Sequence, residues 1–143
     1  MFRKIEASDR QTFLEYCREF YSSPAVLHKL PDSVFMATFD ELMRSDVYLE
    51  GYMLTAGGRN MGYALLSKSF SPEVGGQLIL VEEIYLREEA RGQGIASEFF
   101  EYLDGRGAKR LRLEYEQSNA GAVRLYKRLG FSELPYGQMV KDF

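Results

Sequence analysis

The sequence predicts a single α/β (α+β) domain. Strand-like runs stand at both ends of the chain, and its centre alternates strand, helix, strand, helix, the order of a crossover unit in a sheet. Length agrees: 143 residues suit one domain, 1–143, that buries roughly two-thirds of its unfolded surface. No internal repeat, low-complexity run or interdomain linker interrupts it.

In chain order, "FRKIEAS" opens with a strand over Phe2–Ile5. Ser8 with Gln11 three residues on gives a capping-box signal. Phe13, Cys17 and Phe20 then recur at helical spacing, so a first helix runs to about Tyr21, where Ser22, Ser23 and Pro24 stop it. A second helix takes Asp32 or Ser33 as its cap and carries Phe35, Phe39, Leu42 and Met43 as an apolar stripe. "VYLEGYMLTA" and "MGYALLSK" are strands joined by the hairpin signal "GGRN". A loop over Ser69–Gly76 leads to a long strand, Gln77–Leu86, and then to a helix from Gly94 to about Asp104, ended by Gly105 and Gly107. "KRLRLEYE" alternates Leu111 and Leu113 with charges, a fifth strand. "SNAGAVRLYKRLGF" is a helix capped by Ser118 or Asn119 and closed by Gly130 at the C′ position. "FSEL" and "QMVKDF" are two short final strands around Pro135–Gly137.

Composition narrows the function classes. Apolar content of 45% and aromatic content of 14% belong to a packed globule. A net charge of −3 argues against a general nucleic-acid binder and is compatible with a cationic substrate. A lone Cys17 excludes an internal disulfide or a multi-cysteine metal site. No apolar run reaches the roughly 18 residues of a membrane span. "MFRKIEASDR" turns charged at once, unlike a secretion signal, so a cytoplasmic protein is expected.

The chemistry-bearing stretch is "LILVEEIYLREEARGQGIASE". A strand enters a charged loop, and a basic, glycine-rich cluster then opens a helix. Helix starts present unpaired N–H groups and the positive end of the dipole, which together hold anions. The cluster is no Walker loop, because no Gly-Lys-Ser/Thr follows. It is a poor dinucleotide fingerprint, because five residues separate strand from glycines. Glycines here can also serve turn geometry alone.

A second motif gives the cluster its meaning. Arg91, Gly94 and Ala96 match the R/Q-x-x-G-x-G/A loop of the GNAT superfamily of N-acetyltransferases. Asn119, Ala122, Leu125, Tyr126, Gly130 and Phe131 match that superfamily's later helix, in the same order and at a typical separation. The chain therefore resembles the GNAT superfamily over most of its length, least in Met1–Thr55. The resemblance implies the GNAT fold: a central mixed, mostly antiparallel sheet of six to seven strands, about four flanking helices, and fourth and fifth strands splayed apart. It implies acetyl-CoA as co-substrate, no metal, and transfer of acetyl to a primary amine, whether a small cationic amine, a polyamine, an amino acid or a lysine-like group. Arg91, Gly92, Gln93, Gly94, Ile95, Ala96 and Ser97 would take the pyrophosphate; Ile84, Tyr85 and Leu86 would bond the pantetheine arm; Asn119 would cap its helix and contact that arm. Tyr126 would bind the cofactor and protonate the departing thiolate. A homodimer is the family's frequent habit. An alternative is a non-catalytic acyl-CoA sensor on the same fold; another is a module unrelated to CoA.

Amine acetylation needs a base, since an alkyl ammonium with pKa about 10.4 is neutral in about one molecule in a few thousand at pH 7. Glu82 and Glu83, adjacent acids in an apolar strand, are the candidates. Strict alternation places Glu82 with Ile84 and Leu86, and Glu83 with Val81 and Tyr85. Periodicity does not say which face meets substrate. The segment most resembles that of diamine and polyamine N-acetyltransferases, in which the first acid takes the proton, so Glu82 is assigned as base, directly or through a water, and Glu83 either pairs with a cation or helps attract the ammonium. Tyr16, Tyr21, Phe35 and Glu41 are expected to wall a small cationic amine. Cys17 is expected in the core and His28 in an interhelix loop.

Overall fold

The computed structural model describes residues 1–143. Its elements are β1 (Phe2–Lys4), α1 (Arg10–Tyr21, entered through a 3-10 turn at Ala7–Asp9), α2 (Asp32–Arg44), β2 (Leu49–Ala56), β3 (Arg59–Ser71), β4 (Gly76–Leu86), α3 (Ile95–Asp104), β5 (Arg110–Leu113) and α4 (Ala120–Arg128). The strands form one sheet in the order β1-β2-β3-β4-β5. The first four are antiparallel neighbours. β5 lies parallel to β4 and is reached by the α3 crossover, since a parallel pair needs a connection long enough to return.

Alternation along the strands divides the core between the two faces. Leu54, Ala64, Leu66, Ile79 and Val81 pack with Ile95, Phe99, Phe100 and Leu103 of α3. Met53, Tyr63 and Leu65 pack with Phe13, Tyr16 and Cys17 of α1 and with Phe35 and Phe39 of α2. Cys17 is buried as its helical spacing requires, and burial pushes its thiol up to about 12. The "GGRN" hairpin forms with Gly57 and Gly58 both at positive φ, +56° and +74°, as a two-residue hairpin turn demands.

The ends of elements differ from expectation for local reasons. Asp9, not Gln11, organises the entry to α1: it accepts the Glu6 N–H at 2.8 Å and is held by Arg3 at 2.7 Å. α2 starts after extended Pro31, which leaves Asp32 inside the first turn, where it pairs with Arg18 at 2.8 Å. β3 runs on to Ser71, so the expected Ser69–Gly76 loop shrinks to a turn closed by the Gly75 N–H on the Ser71 carbonyl. The largest difference is at the C-terminus. "FSEL" and "QMVKDF" form no strands, and the sheet has five strands rather than six to seven. Only Phe131 packs inward, against Phe100 and Tyr126. Tyr136, Met139, Val140 and Phe143 lie exposed, so this segment buries no apolar face on which a strand could be built.

Candidate active site

β4 ends at Leu86, and a 3-10 turn at Glu88–Ala90 carries the chain to the glycine turn that starts α3. Gly92 and Gly94 hold φ of +73° and +82°, conformations that side-chain-bearing residues avoid. Gly94 is the helix N-cap and offers no side chain to satisfy the first turn. Six consecutive N–H groups, Gly92 to Ser97, donate to no acceptor of the chain; the first paired amide is Glu98, to the Gly94 carbonyl at 2.9 Å. The turn is braced from outside, by Gln93 on the Glu89 carbonyl at 2.8 Å and Arg91 on the Leu86 carbonyl at 2.9 Å. A row of free donors at a helix start is an anion cradle.

Beside this cradle the sheet opens. The β4–β5 ladder covers only Leu78–Val81 against Arg110–Leu113, whereas β4 continues to Leu86 on its β3 side. The expected splay between the fourth and fifth strands is therefore present, and Glu82–Leu86 face it without a ladder partner. On the other edge Gly62 comes so close that a Cβ there would lie 2.0 Å from the Tyr85 carbonyl oxygen.

At the start of the splay β4 contains a β-bulge. Leu65 pairs with Glu83 and the next residue, Leu66, pairs with Val81, so Glu82 is the extra residue. A bulge re-aims side chains and breaks alternation. Val81 and Ile84 consequently pack on the α3 face, while Tyr85 packs on the α1 face. The strict-alternation grouping of Glu83 with Val81 fails here, because the inserted residue resets the period. Both acids take partners from one face of β3. The Ser67 hydroxyl donates to Glu82 Oε1 at 2.6 Å, and the Tyr63 hydroxyl donates to Glu83 Oε2 at 2.6 Å. Tyr21, at the end of α1, donates to the other Glu83 oxygen. Glu83 thus pairs with two phenols and with no cation of the chain, so of the two roles expected for it the pairing with a side-chain cation is not formed. Burial pushes its pKa up, the two hydroxyls pull it down, and Glu82 adds to the upward shift, leaving it raised. Glu82 is exposed, and its Oε2 has no partner in the chain.

α4 forms the opposite wall. Asn119 caps it, accepting the Ala122 N–H at 3.2 Å, and Gly130 closes it at φ +90°. The Tyr126 ring packs 5.9 Å from Phe100 and 6.1 Å from Phe131. Its hydroxyl has no hydrogen-bond partner in the chain, and burial raises its pKa, so it stays protonated at neutral pH. Together these elements enclose a cleft of about 1000 Å³ that takes in Glu82, Glu83, Ile84, Tyr85, Leu86, the glycine turn, Asn119 and Tyr126. No group of three His, Cys, Asp or Glu side chains stands ready to hold a metal ion.

The model of the acetyltransferase (GNAT) family matches residues 11–131. The chain belongs to the GNAT acetyltransferase family. The chain is 32% identical over 151 residues to the thialysine N-epsilon-acetyltransferase of Bos taurus, covering 94% of this chain and 85% of that protein. The enzyme of the same name from Sus scrofa is 30% identical over the same shares. Among solved GNAT-like folds, aminoglycoside N-acetyltransferase AAC(6')-Iy in complex with CoA superposes with a TM-score of 0.78 at 15% identity, covering 99% of this chain and 93% of that one. A predicted acetyltransferase from Clostridium acetobutylicum with acetyl-CoA gives 0.76 at 15%, over 99% and 95%.

Within this GNAT cleft, the expected substrate-wall residues are mostly elsewhere. Tyr16 is buried and donates to the Asn60 carbonyl at 2.7 Å; Phe35 is core; Glu41 pairs with Arg44 on the outer side of α2. Only Tyr21 reaches the acid pair. The α1–α2 connection instead brings Ser23, Pro24 and Ala25 to the cleft, and His28 stays exposed on that connection. Tyr63 and Ser67 had no signature in the sequence beyond their place in a strand. Their four-residue spacing was the available clue that one β3 face serves both acids.

Proposed function

We propose that the protein transfers an acetyl group from acetyl-CoA directly to the primary amine of a small cationic substrate. Acetyl-CoA supplies the acetyl group as a thioester. The free amides of Gly92–Ser97 bind its pyrophosphate, and the open edge of Ile84–Leu86 binds the pantetheine arm as an added strand. Arg91, held to Leu86, keeps the glycine turn against the end of β4. Glu82 removes the proton of the bound ammonium with the carboxylate oxygen that Ser67 leaves free. Glu83, fixed by Tyr21 and Tyr63, adds negative field to the same face. The neutral nitrogen attacks the thioester carbonyl, a C–N bond forms, and the C–S bond breaks. The Tyr126 hydroxyl gives its proton to the departing sulfur, the nitrogen sheds its second proton to solvent as the amide forms, and exchange with solvent reprotonates Tyr126 and deprotonates Glu82. No covalent acyl-enzyme is required, and none of Cys17, His28 or a serine acts as a nucleophile.

The observation that carries this reading is the meeting in one cleft of six acceptor-less amides and a carboxylate with a free oxygen. The thialysine N-epsilon-acetyltransferase relatives make a lysine-like side-chain amine the first acceptor to try. The test is thiol release from acetyl-CoA over a panel of thialysine, lysine, diamines and an aminoglycoside. Saturable, amine-dependent release with at least one of them supports transfer. Stabilisation by CoA without release on any amine contradicts it.

A further inference from the structure

We propose that Arg124 and Arg128 bind the ribose 3′-phosphate of CoA, so that the protein selects CoA over its 3′-dephospho form; this rests on the acetyl-CoA reading of the cleft. Three arginines line that cleft: Arg91, Arg124 and Arg128. Arg91 already donates to the Leu86 carbonyl. Arg124 and Arg128 enter no ion pair, as Arg59 and Arg112 outside the cleft do not, whereas Arg3, Arg10, Arg18, Arg44, Arg87, Arg106 and Arg110 each hold a carboxylate. Glu114 and Glu116 also line the cleft, yet neither comes within ion-pair distance of them.

The two free arginines stand four residues apart on α4, so they share one helix face and repel each other. A helix-dipole role accounts for cations in the last turn, such as Lys127 and Arg128. It does not account for Arg124, which lies mid-helix. Lys127 turns to a different groove, beside Phe131 and Leu134, so the cleft-facing pair is selective.

What anion suits this pair follows from the other wall. The α3 start offers backbone amides enough for a pyrophosphate, whereas α4, facing it, offers guanidinium groups. CoA carries its pyrophosphate and its 3′-phosphate on different carbons of one ribose. With the first on the glycine turn, the second is left for the facing wall, and arginine forks suit a terminal phosphate. The cleft is then graded along its length, from the Glu82–Glu83 pair that handles a cation to the arginines that handle the nucleotide.

The experiment is calorimetric titration of CoA and of 3′-dephospho-CoA into the wild type and into Arg124→Gln/Arg128→Gln. Both arginines are exposed and glutamine is an equally good helix former, so the fold is untouched. The wild type is expected to prefer CoA by about tenfold or more. The double variant is expected to lose that preference while keeping its affinity for dephospho-CoA. Equal binding by the wild type, or a preference that survives the double substitution, overturns this inference and leaves the acetyl-CoA reading standing. Failure of either nucleotide to bind the wild type overturns both.

Discussion

The Tyr63 hydroxyl donates to Glu83 across 2.6 Å, from the same face of β3 that sends Ser67 to Glu82. Tyr63 is fully buried, so its removal leaves a charged, enclosed oxygen short of a donor. We expect Tyr63→Phe to cost about 1.5–3 kcal/mol at neutral pH. The penalty falls on the ionised form. The raised pKa of Glu83 means that it protonates readily as pH drops, so the loss should shrink in acid. Urea unfolding of both proteins at pH 8 and pH 4 checks this, and an equal loss at both would show that the phenol serves packing alone.

Much of this arrangement could be read from the chain. The glycine turn, the Asn119 cap, the Gly130 stop and the hairpin at Gly57–Gly58 follow from residues whose backbone geometry or capping chemistry has few alternatives. The facing of the acid pair could not. A bulge adds one residue to one strand, and nothing in "LVEEIYL" marks which residue is extra, because the shift arises from pairing with β3. The absence of the expected final strands has a related reason. "FSEL" and "QMVKDF" have strand-like composition, but strand formation depends on a neighbour to cover them. The partners Tyr21, Tyr63 and Ser67 are separated from Glu82 and Glu83 by 15 to 62 residues, beyond the reach of any local pattern.

Substitution at Gly94 probes the anion cradle. A Cβ there meets open space, but φ of +82° strains any side-chain-bearing residue. Gly94→Glu also sets a carboxylate among the six free amides, where like charge costs several kcal/mol. CoA affinity should fall on the order of a hundredfold or more. Unchanged affinity in a folded Gly94→Glu variant would move the pyrophosphate elsewhere.

Tyr126→Phe separates chemistry from packing. The ring contacts with Phe100 and Phe131 persist, and the hydroxyl that is lost has no partner within the chain. We expect kcat to fall by about 10²- to 10⁴-fold, with acetyl-CoA binding nearly unchanged. A wild-type kcat at saturating substrate would make Tyr126 a packing residue.

Glu50 supplies a stability test away from the cleft. It is 4% exposed and accepts from Lys68 at 2.7 Å, Lys4 at 3.0 Å, Arg106 at 2.7 and 3.0 Å, and the Tyr52 hydroxyl at 2.8 Å. Burial alone would push its pKa up, but Arg106, Lys68 and Lys4 outweigh burial and hold it well below the ordinary 4.5. A carboxyl depressed in the folded state stabilises above its unfolded pKa, and that contribution is lost as pH falls toward its folded value. Glu50→Gln should therefore cost about 3 kcal/mol at pH 7 and less in acid. Its melting temperature should approach that of the wild type as pH is lowered below 4.5. Parallel curves across that range would deny the hub its electrostatic role.

The pH dependence of kcat/KM for the wild type, Glu82→Gln and Glu83→Gln, on the best amine of the panel, tests the account most directly. Glu82 has the free oxygen and Glu83 has both oxygens occupied, so Glu82 is the proposed proton acceptor. The Glu82→Gln defect should be deepest at low pH, where little amine is neutral, and should be partly rescued as pH rises and solvent takes over deprotonation. Glu83→Gln should lower activity without that pH-dependent rescue. A pH-rescued defect in Glu83→Gln and a wild-type profile in Glu82→Gln would contradict the assignment of the bulged acid as the base.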